Sequence, residues 1–211
     1  MTGKRKRGKS STREPDDAGR HTPARLRIIG GSLGGRKLLY SGDERTRPMK
    51  DRVREAVFNL LGDDVVGKHA VDLFAGTGAL ALEALSRGAA HATLIEKHFP
   101  TADVIRQNAE QLGVAERCQI EPADTFIWVR RGPQLGPAAW LVFCSPPFAF
   151  YSERRAEMIE LVGSLMRQSP AESLFVVEAD LGFDFAELPH AAAWEIREYP
   201  PAVIGIYRRG A

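Results

Sequence analysis

At 211 residues, with 44% hydrophobic and 27% charged residues, the chain has the size and composition of a soluble protein with one catalytic core and an appendage. No apolar run approaches the roughly 18 residues of a membrane span, and no apolar signal core follows the basic N-terminus, so a cytoplasmic protein without a membrane partner is expected. Net charge is only +2, yet residues 1–25 and residues 26–54 each hold eight Lys/Arg against three acids, and the remainder sums to −8. Attraction for phosphate is therefore concentrated in the first quarter of the chain.

Residues 1–24 are polar, basic and poor in large apolar side chains, the composition of a disordered tail. From Leu26 the pattern changes: Leu26 to Gly31 and Gly34 to Leu39 read as two short extended pieces joined by a glycine turn, a small basic β-hairpin. Pro48 can open a helix whose Val53, Val57, Leu60 and Leu61 share a face and which Gly62 ends. Hairpin and helix make up a segment, residues 25–62, ahead of a core over 63–211.

Beyond Gly67 strands and helices alternate. Strands are expected over 69–74, 91–95, 117–121, 139–144 and 173–178, and helices over about 78–87, 99–112 and 153–168. This is the pattern of a parallel sheet covered on both faces. Trp194 to Tyr199 and Val203 to Tyr207, separated by Pro200-Pro201, form a terminal antiparallel hairpin. An α/β, Rossmann-like sheet closed in this way fits a class I methyltransferase better than an all-parallel fold. Cys118 and Cys144 read as buried, reduced strand residues, and His21, His69, His91, His98 and His190 lack zinc-ligand spacing, so no metal is expected.

The first core strand ends in Asp72, Leu73, Phe74, Ala75, Gly76, Thr77 and Gly78 and runs straight into a helix. Glycines there let the backbone approach a ligand closely, with unpaired helix amides beyond them. Gly76 to Ala81 alone also satisfies a dinucleotide fingerprint, so the turn admits NAD as well as S-adenosylmethionine. Glu96, with Lys97 beside it, ends the second strand 20 residues after Gly76, where a carboxylate can accept from both ribose hydroxyls. Asp124, followed by Thr125, is placed to accept from an adenine amino group with Phe126 or Ile127 against the ring. The competing reading of Asp124 is a helix N-cap.

After the fourth strand comes Ser145-Pro146-Pro147-Phe148, at the sheet edge where open α/β folds hold their ligands. Consecutive prolines remove two N–H groups and extend the chain, leaving carbonyls free to accept, and the aromatic supplies a flat face. The combination suits an exocyclic amine held by acceptors, stacked on Phe148 and aimed at the methyl of S-adenosylmethionine. An NAD oxidoreductase leaves these four residues unexplained.

The glycine turn followed by Ser-Pro-Pro-Phe resembles the amino-group methyltransferases. More narrowly, Arg47-Pro48 with the run Asp51 to Asn59, preceded by Leu26 to Gly31 and Gly35 to Leu38, looks like the RsmD family of 16S rRNA guanine-N2 methyltransferases, over about residues 26–207. The resemblance implies S-adenosylmethionine as cofactor, a guanine of ribosomal RNA or the small ribosomal subunit as substrate, and a segment around Arg47 to Arg54 that caps the cofactor and meets RNA. Arg36, Arg47, Arg52 and Arg54 are the expected RNA-binding residues, and a monomer is expected. RsmD-like proteins usually carry Asp where Ser145 stands, and a hydroxyl accepts fewer hydrogen bonds and brings no charge. Two other readings stay open: an amino-methyltransferase for another nucleic-acid base, and a silent RNA-binding homologue acting in ribosome assembly.

Overall fold

The computed structural model describes residues 26–40 and 48–210; the expected tail and Arg47 lie outside the described residues. Its centre is one seven-stranded sheet built from β1 (His69–Asp72), β2 (His91–Ile95), β3 (Cys118–Glu121), β4 (Trp140–Cys144), β5 (Leu174–Asp180), β6 (Trp194–Tyr199) and β7 (Ala202–Arg208). The order is β3-β2-β1-β4-β5-β7-β6. The first five strands are parallel, and β7 runs antiparallel to both β5 and β6, as the terminal hairpin requires. Strand order reverses between β1 and β4, which opens a crevice at their carboxyl ends.

Alternation along the strands divides the core. Ala70, Leu94, Leu141, Phe143 and Val176 face one side with α1 (Asp51–Leu61), α2 (Ala79–Ser86) and α3 (Phe99–Leu112). Val71, Ile95, Val142, Cys144 and Val177 face the other with α4 (Thr125–Arg130), α5 (Phe150–Glu153) and α6 (Arg155–Gln168). Helix α3 illustrates why these elements form. Pro100 stands in its first turn, Ala102, Ile105, Ala109 and Leu112 are buried at helical spacing, and Gly113 closes it at φ 73°. Among the described residues no helix is long and apolar enough to cross a membrane.

Three expectations change in detail. The N-terminal hairpin is reduced to a single antiparallel bridge, Arg27 with Lys37, because the chain between them turns through a 3-10 segment, Gly31–Leu33. The helix expected over 153–168 is two helices, broken at Arg154, whose φ of −132° is not helical. A further short helix, α4, starts behind Asp124.

The N-terminal segment packs onto α2 through Glu83. This carboxylate is wholly buried and accepts from the backbone N–H of Ile29 (2.7 Å) and Gly30 (2.8 Å) and from Arg87 Nε (2.9 Å), with Arg54 Nε at 3.8 Å. Ser86 adds Leu33 N–H to its hydroxyl at 2.9 Å. The approach is so close that a Cβ on Gly31, at φ 75°, would stand 2.1 Å from the Ser86 carbonyl.

Arg54 is therefore not an RNA-binding residue. It is 0% exposed, and its guanidinium donates to the carbonyls of Met49 (3.2 Å) and Arg27 (2.6 Å) and to Asp51 (3.1 Å). Burial lowers its pKa, against the raising influence of Asp51 and Glu83. Its place on the buried side of α1, between Val53 and Val57, turns it inward to hold the segment together.

Removing one member of a buried ion pair leaves the other charge uncompensated, at a loss of about 3–5 kcal/mol. Glu83→Ala is expected to lose that much in denaturant unfolding and Glu83→Gln less, since an amide oxygen still accepts from the backbone; a loss under about 1 kcal/mol for Glu83→Ala would contradict the anchor.

Candidate active site

The crevice between β1 and β4 is entered by the turn Leu73 to Gly78. Gly76 (φ 52°) and Gly78 (φ 78°) take the left-handed backbone the turn needs, and a Cβ on Gly78 would press within 3.1–3.3 Å of Ile105, Leu94 and Leu82. Ala75 and Thr77 are buried and Phe74 half-buried. Glu96, at the end of β2, holds the turn: it accepts from Gly76 N–H (2.9 Å) and His98 N–H (2.8 Å) on different carboxylate oxygens. Lys97 beside it is exposed, its ammonium 5.7 Å from the centre of the Phe150 ring.

Asp72 is 1% exposed, and among the described residues its Oδ1 has no hydrogen-bond partner. Burial pushes its carboxyl up to about 7, with Glu96 adding to the rise and backbone donors at Ala81 and Phe74 opposing it. An unpartnered buried acceptor directly below the glycine turn fits a cationic ligand group.

Asp124 stands where expected, past β3, and it is also the N-cap of α4: its Oδ1 accepts from Phe126 N–H (3.0 Å) and Ile127 N–H (3.2 Å). Thr125 is buried and its hydroxyl donates to the Leu73 carbonyl, which ties α4 to the glycine turn. Phe126 is buried against Phe74 and Phe150, with ring centres 6.0–6.1 Å apart, and Arg154 lies 3.7 Å over its face. Ile127 is 43% exposed and is the apolar side chain that stands open beside Asp124.

Ser145, Pro146, Pro147 and Phe148 leave β4 at the same edge. Pro146 is buried, Pro147 exposed, and Ser145 and Phe148 half-buried. The Pro147 carbonyl accepts from Phe150 N–H at 2.9 Å and so serves to start α5, which leaves it one lone pair for a further donor. Ser145 donates its hydroxyl to Glu178 of β5, a residue that sequence reasoning did not single out. Burial raises the Glu178 pKa, opposed by the Ser145 hydrogen bond.

Arg36 is exposed, its guanidinium 3.3 Å from the Leu112 carbonyl at the end of α3, and Arg52 is exposed on α1. Phe150, Arg154 and Glu178 are the site-forming residues that the sequence reading missed. Phe150, two residues after Phe148, was visible as a second aromatic. Glu178 has no local signal, because its proximity to Ser145 depends on the β4–β5 register that aligns Cys144 with Val177.

A sheet of this strand order, with its crevice at the β1–β4 reversal and the glycine turn on one side of it, is that of the class I S-adenosylmethionine-dependent methyltransferases. Residues 26–195 match the family described as Conserved hypothetical protein 95. Ribosomal RNA small subunit methyltransferase D from Escherichia coli K12 is 36% identical over 186 residues, covering 87% of this chain and 88% of that protein. The solved structure of the Escherichia coli protein yhhF is 34% identical, with a TM-score of 0.70 over 88% of this chain and 98% of that one. An RNA methyltransferase from Salinibacter ruber, solved with S-adenosyl-L-homocysteine, shares the fold at 18% identity (TM-score 0.56; 78% and 94% covered). The chain belongs to the Conserved hypothetical protein 95 family, the RsmD-like family its motifs resemble.

The Asp72 carboxyl titrates at 3.8 when unperturbed and at about 7 in the folded chain. Since its folded value is raised, the stability penalty is absent below 3.8, grows as pH rises between the two values and is complete above about 7. Asp72→Asn, which cannot ionise, is expected to raise the melting temperature more at pH 8 than at pH 4 while weakening S-adenosylmethionine binding. An equal change in melting temperature at both pH values would show that Asp72 is not held protonated by burial.

Proposed function

We propose that the chain transfers a methyl group from S-adenosylmethionine to the exocyclic N2 amine of a guanine in small-subunit (16S) ribosomal RNA, in the cytoplasm. The observation that carries this reading is the meeting, at one sheet edge, of the glycine turn beside the buried Asp72, whose Oδ1 has no partner among the described residues, and the Ser145-Pro146-Pro147-Phe148 segment. The name of the 36%-identical Escherichia coli relative supports ribosomal RNA as the acceptor, and the amine-binding chemistry of Ser145 to Phe148 supports an exocyclic nitrogen.

When bound, S-adenosylmethionine supplies an electrophilic methyl: the nitrogen lone pair forms the new N–C bond, the S–C pair stays on sulfur, and the amine sheds one proton. The chain's residues would divide the work of holding and aiming. Phe74, Ala75, Gly76, Thr77 and Gly78 offer close backbone approach, and Asp72 an acceptor for the ammonium group. Glu96, with Lys97 beside it, offers acceptors for ribose hydroxyls. Asp124 accepts from the adenine amine, with Thr125 fixing the loop. Ser145 accepts from the acceptor amine, Pro146 and Pro147 hold that segment extended, and Phe148 stacks on the base. Catalysis by such a site is orientation and electrostatics. Residues 25–62 would form the cap, and Arg36, Arg47 and Arg52 its contacts to phosphate, on the core of residues 63–211.

Transfer of labelled methyl to small-subunit particles lacking guanine-N2 methylation, followed by nucleoside analysis, tests the reading: N2-methylguanosine is expected. No incorporation by protein that binds both S-adenosylmethionine and the particle would favour a silent RNA-binding homologue. Ser145→Ala is expected to lower kcat by roughly 10²-fold with RNA affinity little changed; unchanged turnover would remove Ser145 from the site. Arg36→Ala and Arg52→Ala are each expected to reduce the slope of log affinity against log salt by about 0.7–0.9, which binding titrations between low and physiological salt would measure.

A further inference from the structure

Beside the segment that is to receive the acceptor amine, β4 and β5 run in parallel register with Cys144 opposite Val177. The next residue of each strand is therefore set side by side: Ser145 Oγ donates to Glu178 Oε2. The glutamate is half-buried, and among the described residues no cation forms an ion pair with it. Its own strand is locked in place, since the Glu178 carbonyl accepts the hydroxyl of the buried Tyr151 of α5 at 2.8 Å. A carboxylate in this position has no structural charge to neutralise. Among the described residues the serine is the one side chain hydrogen-bonded to it.

We infer that Glu178 is a positioning residue for methyl transfer: by taking the Ser145 hydroxyl proton in a hydrogen bond, it turns the serine oxygen into an acceptor backed by negative charge. The inference rests on the methyltransferase function proposed above. A lone serine hydroxyl accepts weakly and, free to rotate, can present its own hydrogen to the amine. Bound to a carboxylate, that hydrogen is committed and the oxygen lone pairs face away from Glu178, while the charge-assisted bond increases their density. The amine then meets an acceptor that draws on its N–H groups as an anion would, and its lone pair becomes more nucleophilic. When the methylated amine sheds its proton, Ser145 Oγ takes it as the serine's own proton moves to Glu178. The serine is left neutral and the glutamate protonated until water removes the proton.

The groups packed around Glu178 leave this role to it. Burial raises the Cys144 thiol to about 12 and Tyr151 well above its usual value, so both are neutral at physiological pH. Asp72 of β1 and Asp180 on the same strand are the other acids near them. Of these groups Glu178 is the one that accepts the Ser145 hydroxyl, and its ionised form is the base placed to take the serine proton. Since burial raises the Glu178 pKa, kcat is expected to fall as pH drops through that raised value.

The test compares wild type, Glu178→Gln, Ser145→Asp and the double variant Ser145→Asp/Glu178→Gln, each checked for S-adenosyl-L-homocysteine binding and thermal unfolding. Glu178→Gln is expected to lower kcat by at least about tenfold with KM for the RNA particle unchanged and to lose the acidic limb attributed to Glu178. The double variant, which carries the charge on residue 145 itself, is expected to recover most of the wild-type kcat. Ser145→Asp alone puts two carboxylates in contact that must share one proton; the pair still presents one negative charge, so its kcat is expected to match that of the double variant, and a much slower single variant would overturn the inference. A Glu178→Gln kcat within twofold of wild type, or a double variant as slow as Glu178→Gln, would overturn the inference.

A measurement without turnover supports the same decision: carbon-13 NMR titration of the Glu178 carboxyl in the free protein. Ser145→Ala removes the bond that favours the ionised form, so the midpoint is expected to move up, and an unmoved midpoint would overturn the pairing. A wild-type protein that methylates nothing in the same assay would instead overturn the function proposed above and, with it, this role.

Discussion

One buried carboxylate, Glu83, joins the N-terminal segment to the helix that follows the glycine turn. It sits on α2, the helix that begins at the glycine turn, and it gathers Ile29, Gly30, Arg54 and Arg87 around itself. A charge with 0% exposure is tolerated only when donors replace water, so the N-terminal segment is not a removable cover. Its backbone amides are part of the solvation of Glu83. The close contact of Gly31 with Ser86 and the stacking of Arg87 over Phe58 at 5.0 Å follow from the same docking.

Asn108 of α3 makes a second link, to the glycine turn itself. Its side chain accepts from Leu39 N–H at 2.7 Å and donates to the carbonyls of Leu39 (3.1 Å) and Thr77 (3.4 Å). The N-terminal segment and the glycine turn thus share one buried amide. Ligand-induced ordering of the turn would reach the segment through Asn108 on one side and α2 on the other. Exposed Arg36 and Arg52 stand on described elements of the N-terminal segment, residues 26–40 and 48–61, that Glu83 and Asn108 join to α2 and the glycine turn.

The parts of this arrangement differ in how far they can be read from the sequence. Alternating strands and helices make the sheet legible, because buried parallel strands and amphipathic helices leave period and length signals. The glycine turn and Ser145 to Phe148 are legible because their backbone demands restrict which residues can stand there. Arg54 was misread for a physical reason: charge argues for exposure, and only the tertiary partners Glu83, Met49 and Arg27 make an inward guanidinium tolerable. Asp124 is the cap of α4, and spacing alone cannot separate that duty from the proposed contact to an adenine amine. Glu178 was invisible, since its relation to Ser145 spans 33 residues and exists only through strand register.

The central claim is that the N-terminal segment and the glycine turn are one cooperative unit. Native-state hydrogen exchange, followed residue by residue with and without S-adenosyl-L-homocysteine, tests it most directly. The account predicts that the amides of Ile29, Gly30 and Leu39 gain protection together with those of Gly78 and Leu82 when the ligand binds. Protection gained at Gly78 and Leu82 while Ile29, Gly30 and Leu39 exchange at unchanged rates would contradict it.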